Sequence, residues 1–313
     1  MKKLVIATRR SKLALWQSEF VKSELLKHYP DMEITLQEFV TKGDKILDVP
    51  LAKIGGKGLF TKELEIAMLE GNAHLAVHSL KDVPTKFEDG LQLTAVTKRY
   101  DPRDALLSNK YSSIADLPKG AVVGTTSLRR RMALKLLRPD IELKDLRGNI
   151  NTRIAKLNAG EYDAIILAAT GVMKLGIEDE VKYFNPISTD IMIPSMGQAT
   201  LGIETTTDNT EVIELLKVLN DNDAHIESTI ERGFVDTLQG GCQVPIGVKA
   251  TIVNETSIRV QAIVGMPDGS ESISEDITAD INNFETIGQT LAQTFIDQGA
   301  KELLARAELV AFK

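Results

Sequence analysis

The 313 residues, 43% hydrophobic and 26% charged, have an ordinary globular composition, but the chain is too long for one comfortable core, so two or three domains are expected. A formal net charge of −7 argues against nucleic-acid binding as its main business, and no stretch reaches the ~18 apolar residues of a membrane span. One cysteine, and an N-terminal apolar segment too short for an export signal, point to the cytoplasm.

Residues 4–7 read as a strand. Ser11 then caps a helix with Leu13, Trp16, Phe20, Val21 and Leu25 at helical spacing. A second strand covers residues 34–40. Residues 41–58, rich in Gly and Lys, read as a mobile loop carrying Lys53 and Lys57. A helix over 59–69 stops at Gly71, and a buried strand over 73–77 runs into His78-Ser79-Leu80-Lys81-Asp82-Val83-Pro84. After a strand at 91–97, residues 98–103 read as a hinge into a second unit. There strands at 121–124, 141–146 and 163–168 alternate with helices at 127–137 and 150–158, which predicts parallel pairing. Residues 198–204 return as a strand to the first unit, and helices follow at 211–219 and 224–238. Beyond Cys242 three strands, turned at 254–256 and 267–269, form an antiparallel meander closed by two helices. The expected class is α/β: two α/β domains, 1–99 with 198–219 and 100–197, and a smaller α+β domain, 220–313.

Gly124-Thr125-Thr126-Ser127-Leu128-Arg129-Arg130-Arg131 puts hydroxyls and three arginines at a helix start. The positive end of a helix dipole normally favours acids there. Backbone N–H groups, hydroxyls and guanidinium groups thus define an anion site; the competing readings are a solvated basic turn paired with acids and a weak nucleic-acid patch. Arg147-Gly148-Asn149 with Arg153 repeats the arrangement, as does Thr8-Arg9-Arg10-Ser11 in the first unit. Parallel strands present their ends along one edge, where ligands of open α/β folds sit. Two such edges face to face would make a cationic cleft for a polycarboxylate.

Asp82 is the sharpest acid: a carboxylate among cations suits stabilising a developing positive charge and moving protons, although a turn-capping role is open to it too. His78 is either a general base or structural. Cys242, between two glycines and Pro245, reads as a nucleophile displayed for covalent attachment or as an incidental thiol. No spacing suggests a metal site.

In one order, Ile6-Ala7-Thr8-Arg9, Gly55-Gly56-Lys57-Gly58-Leu59-Phe60, Val77-His78-Ser79-Leu80-Lys81-Asp82-Val83-Pro84, Asp101-Pro102-Arg103-Asp104, Ser127-Leu128-Arg129-Arg130, Leu146-Arg147-Gly148-Asn149 and Gly240-Gly241-Cys242-Gln243-Val244-Pro245 closely resemble the porphobilinogen deaminase family, also called hydroxymethylbilane synthases, over almost the whole chain. The resemblance implies a transferase of tetrapyrrole and heme biosynthesis. It would join four porphobilinogen units head to tail, releasing ammonia, on a dipyrromethane cofactor held by a thioether at Cys242. It implies two lobes like the halves of periplasmic binding proteins, a monomer, and Asp82 as the catalytic acid. The carboxylate-binding groups it implies are Arg9, Ser11, Ser79, Lys81, Thr125, Thr126, Ser127, Arg129, Arg130, Arg147, Asn149, Arg153, Lys174 and Gln198, with Lys53 and Lys57 on the mobile loop. Two departures stand out. Lys174 replaces the family's usual arginine, which loses a bidentate fork. Ala199 replaces the second glycine of Gly-Gln-Gly. A non-catalytic solute-binding protein with a two-lobed cleft is the rival reading from another class.

Overall fold

The computed structural model describes residues 2–45, 58–239 and 244–311. Lys53, Lys57 and Cys242, on which the sequence places expectations, lie outside the described residues.

The chain builds three sheets. The first contains Lys3–Arg9 (β1), Glu33–Phe39 (β2), Leu75–Ser79 (β3), Leu91–Val96 (β4) and Leu201–Thr206 (β10), in the order β2-β1-β3-β10-β4. β1 is parallel to β2 and β3, whereas β10 runs antiparallel between β3 and β4. Helix Lys12–His28 (α1) covers one face. Ser11 Oγ accepts from Ala14 N at 3.3 Å, and Val21 and Leu25 pack beneath with Leu4, Ile6, Leu75 and Ile203.

The second sheet contains Asp104–Ser108 (β5), Val122–Gly124 (β6), Glu142–Lys144 (β7), Ala164–Ala168 (β8) and Tyr183–Pro186 (β9), in the order β7-β6-β8-β5-β9. In each lobe three strands lie in the order second, first, third of that set, followed by one strand antiparallel to them and then an edge strand. The expected parallel alternation holds for β6, β7 and β8. It fails at β5, which is antiparallel to β8 and β9 and follows directly on the residues read as a hinge. The charge of Asp104 hides this strand from an apolar-pattern search, yet all five residues are buried. Asp104 can be buried because arginines neutralise it, as described below.

Residues 97–103 and 187–200 carry the chain between the lobes and run side by side, with Tyr100 N donating to Ala199 O at 2.9 Å. Two glycines, Gly197 in the crossing and Gly202 in β10, let the backbone touch the turn that carries Asp82. At Gly197 (φ +63) a Cβ would lie 2.7 Å from Leu80 Cγ, and at Gly202 one would lie 2.9 Å from Leu80 Cδ1.

The third sheet is the expected meander, Ile246–Asn254 (β11), Ser257–Gly265 (β12) and Ser272–Asp280 (β13). Helices Asn222–Thr237, Phe284–Asp297 and Ala300–Ala311 pack with it, and Phe234 meets Phe295 edge to face at 5.0 Å. This unit is tied to the crossing by Glu231, which accepts from Arg99 twice at 2.7 Å, from Gly197 N at 2.7 Å and from Ala250 N at 2.9 Å. No helix among the described residues is long and apolar enough to cross a membrane.

Candidate active site

Strand ends build the site. β1 ends at Arg9, β3 runs into a 3-10 turn over Leu80–Asp82, β6 runs into Thr125-Thr126-Ser127, and β7 leads to Arg147-Gly148-Asn149. These C-terminal edges of the two sheets enclose a cleft of about 600 Å³. Basic residues Arg9, Arg10, Lys81, Arg130, Arg147, Arg153 and Lys174 line it, and among the described residues its one lining carboxylate is Asp82. A smaller cavity of about 150 Å³ adjoins it, lined by Lys81, Asp82, Ser127, Arg129, Arg130 and Gln198, together with Val235, Val244 and Ile246 of the third unit. Asp82, Lys81 and Arg130 belong to both. Val244, two residues past Cys242, faces this same space.

Basic side chains outnumber carboxylates among the described lining residues of the cleft. Burial, opposed by Asp82 and reinforced by Arg130, pushes the Lys81 ammonium down to about 8. Arg153 is pushed down to about 10 by burial, then by Arg130 and Arg147, with Asp82 opposing. Cations that repel one another in a partly enclosed space mark a place prepared for an anion.

Most expected residues come together here. Arg9, whose guanidinium lies 4.4 Å from the Phe60 ring centroid, Ser11, Ser79, Thr126, Arg147, Asn149 and Arg153 all line the larger cavity. Ser79 Oγ accepts from Gln17 at 2.7 Å, Asn149 caps its helix by accepting from Thr152 N, and Arg153 Nε donates to Gly148 O at 2.8 Å. Ser127 lines the smaller cavity, although its side chain does not cap the helix it precedes.

Six residues behave otherwise. Thr125 is buried away from both cavities, its hydroxyl accepting from Ser127 N at 3.2 Å, so it shapes the turn rather than facing a ligand. The arginine triplet does not converge on one external anion. Arg129 Nη1 donates to Asp104 Oδ2 at 2.7 Å, Arg130 donates to Oδ1 from Nη2 at 2.7 Å and from Nε at 3.1 Å, and Arg131 turns away to Asp145 at 2.6 Å. The reading of a basic turn paired with acids thus accounts for part of this segment. Gln198, 1% exposed, is a bridge: it donates to Asp104 Oδ1 at 3.1 Å and accepts from Lys81 Nζ at 3.3 Å. Lys174 Nζ rests on the Tyr100 ring, 3.3 Å from its centroid.

His78 is not a cleft base; it is buried with its Nε2 3.0 Å from Glu204 Oε2. Asp104 is the residue that sequence reasoning missed. Burial alone would raise its pKa, but Arg129 and Arg130 override that and hold it well below the usual carboxylate range. Its signal was present in Asp101-Pro102-Arg103-Asp104, but nothing local says which cations it meets.

Two α/β lobes facing across a cationic cleft, one carboxylate at its centre and a third unit closing one side, define an enzyme built to grip a polyanionic substrate. Residues 4–214 match the family description "Porphobilinogen deaminase, dipyromethane cofactor binding domain", and residues 225–297 match "Porphobilinogen deaminase, C-terminal domain". The porphobilinogen deaminase of Aliarcobacter butzleri is 85% identical over 313 residues, covering 100% of both chains. That of a Nitratiruptor species is 59% identical over 311 residues, covering 99% of both. Among solved structures, the periplasmic aliphatic sulphonate binding protein SsuA of Escherichia coli aligns with 76% of this chain and 75% of its own, at 14% identity and a TM-score of 0.42. The chain belongs to the porphobilinogen deaminase family and is a transferase of that family. The family assignment sets aside the solute-binding alternative.

Proposed function

We propose that the cleft and Asp82 carry out the stepwise head-to-tail condensation of four porphobilinogen units, releasing ammonia at each step and giving hydroxymethylbilane. The observation that carries this reading is the meeting of both cavities at Asp82, amid cations of both lobes and beside Val244 of the cysteine loop's flank. Each unit brings two carboxylates, so a growing chain accumulates negative charge, and the cleft is lined by basic side chains of both lobes.

The residues present fit a dipyrromethane: Arg130, Arg147, Arg153, Lys81 and Ser127 offer donors to its carboxylates around Asp82, with Cys242 as its attachment point. When bound, the group supplies the fixed pyrrole end to which new units are added. Arg9, Ser11, Thr126 and Asn149 receive the incoming unit's carboxylates. A charge-assisted hydrogen bond contributes about 1.5–3 kcal/mol, so a few of them hold a unit firmly. Asp82 accepts from pyrrole N–H, stabilises positive charge at that nitrogen and exchanges protons with it. Lys53 and Lys57 contribute two further cations for substrate carboxylates. Arg129 and Gln198 serve chiefly by fixing Asp104 and Lys81.

Sheet membership supports three domains, 1–99 with 198–219, 100–197 and 220–313. We also read the protein as a cytoplasmic monomer that handles porphobilinogen and neither nucleic acid nor membrane, a reading its net charge of −7 favours in the case of nucleic acid. Intact mass measurement tests the central claim. The purified protein is expected to exceed its sequence mass by two pyrrole units, and Cys242→Ser to lack the excess; an unmodified wild-type protein that gives no colour with an acid aldehyde reagent for pyrroles would refute it.

A further inference from the structure

At one end of the cleft the two lobes touch through helices. Gly171, on the helix Ala169–Leu175 of the second lobe, faces α1 of the first: a Cβ there would lie 2.8 Å from Ile150 Cδ1 and 3.7 Å from Leu13 Cδ2. One turn further, Lys174 Nζ lies 3.3 Å from the Tyr100 ring centroid and 5.2 Å from that of Trp16. The rings form a box of their own. Trp16 stacks on Phe20 with centroids 5.4 Å apart, and Phe20 meets Tyr100 edge-on at 6.2 Å. Trp16 and Phe20 belong to α1 and Tyr100 to the crossing, so a cation of one lobe is seated on aromatic faces presented by the other lobe and its connection.

An ammonium so placed is bound through the ring quadrupoles, an attraction that strengthens where water is excluded. Burial lowers the Lys174 pKa, as expected of a cation drawn out of water. A carboxylate reaching Lys174 would have to pull it off two rings.

We propose that Lys174 is a positioning residue: its cation–π contact with Tyr100 and Trp16 latches the second lobe to the first at this end of the cleft, and it does not bind substrate carboxylates. The proposal rests on the cleft being where condensation occurs. The latch keeps the cations of the two lobes in fixed opposition while the bound chain lengthens. Conserving the charge without the ring contact would not suffice, and neither would the rings alone.

Trp16 is the only tryptophan in the chain, so its emission reports directly on the box. The cofactor-bearing wild type, K174M, K174R and Y100L are compared by acrylamide quenching of that emission and by KM and kcat for porphobilinogen. Both K174M and Y100L are expected to raise the quenching constant about twofold or more and to lower kcat several-fold, with KM within about twofold of wild type; K174R restores all three. Unchanged quenching in K174M and Y100L overturns the latch. So does a rise in KM above about fivefold in K174M, which would make Lys174 a carboxylate-binding group. A wild type that forms no product at all refutes the proposed function, while the quenching comparison still decides the latch.

Discussion

Two aspartates lie against the same arginines with opposite consequences. Asp104 is fully buried and accepts from Arg129, Arg130 and Gln198, so every part of its charge is matched within the protein. Asp82, one 3-10 turn beyond β3, is partly exposed where two cavities join, with Arg130 lining both. Arg130 thus has one acid behind it and one in front. The difference teaches that enclosure, more than residue type or neighbouring charge, separates a structural carboxylate from a reactive one.

Substitution breaks the comparison in opposite directions. Asp82→Ala is expected to lower product formation at least about 100-fold, while urea unfolding shifts by less than about 1 kcal/mol, because the side chain stabilises charge in the reaction rather than in the fold. Asp104→Asn is expected to cost about 3–5 kcal/mol in the same unfolding measurement, since it strands two buried guanidinium groups. Its effect on turnover then follows from loss of fold. Because the folded pKa of Asp104 lies below its unfolded value of about 3.9, its stabilising charge is fully present above that pH and is lost only as pH falls through the folded value. A wild type whose stability already declines between pH 7 and 5 on account of Asp104, with the decline absent in Asp104→Asn, would contradict that assignment.

A smaller effect sharpens the contrast through Lys81, which bridges the two regions by donating to Gln198. Its pKa is lowered to about 8, so the folded protein releases this proton between pH 8 and the ordinary lysine value, where the unfolded chain still holds it. Stability from this group therefore rises with pH across that window, while the cleft loses one cation. KM for porphobilinogen is expected to climb several-fold above about pH 8, with bound carboxylates displacing the midpoint upward; Lys81→Arg keeps its charge and should hold KM nearly flat to pH 9.5. Equal pH dependence in both proteins would remove Lys81 from substrate binding.

Much of this could be read from the chain itself. Ser11 announced a helix start, and the arginines following β6 and β7 announced a cationic edge, because caps and strand ends are local features. Contacts across the chain were illegible. Trp16 and Phe20 fit an ordinary apolar stripe on α1, and only folding shows them meeting Tyr100 and Lys174. The strand at Asp104 was hidden by its own charge, which makes sense only beside Arg129 and Arg130. Thr125 looked like a ligand donor because its hydroxyl lies in the right turn; burial, which a sequence does not display, gave it another task.

The smallest expected effect concerns the crossing segment. Gly197 and Ala199 both adopt left-handed backbone, with φ +63 and φ +70. A methyl at Gly197 would strike Leu80 Cγ at 2.7 Å and displace the turn that presents Asp82, so Gly197→Ala should destabilise the protein and slow turnover. Ala199 already carries its methyl in a conformation that costs an L-residue roughly 1–2 kcal/mol, and part of that cost returns when a glycine gains freedom in the unfolded chain. Ala199→Gly is therefore expected to stabilise the fold by about 0.5–1 kcal/mol in urea unfolding, with kcat little changed. If Ala199→Gly were neutral or destabilising, the surrounding contacts, among them the bond from Tyr100 N to Ala199 O, would have to be compensating for the strain.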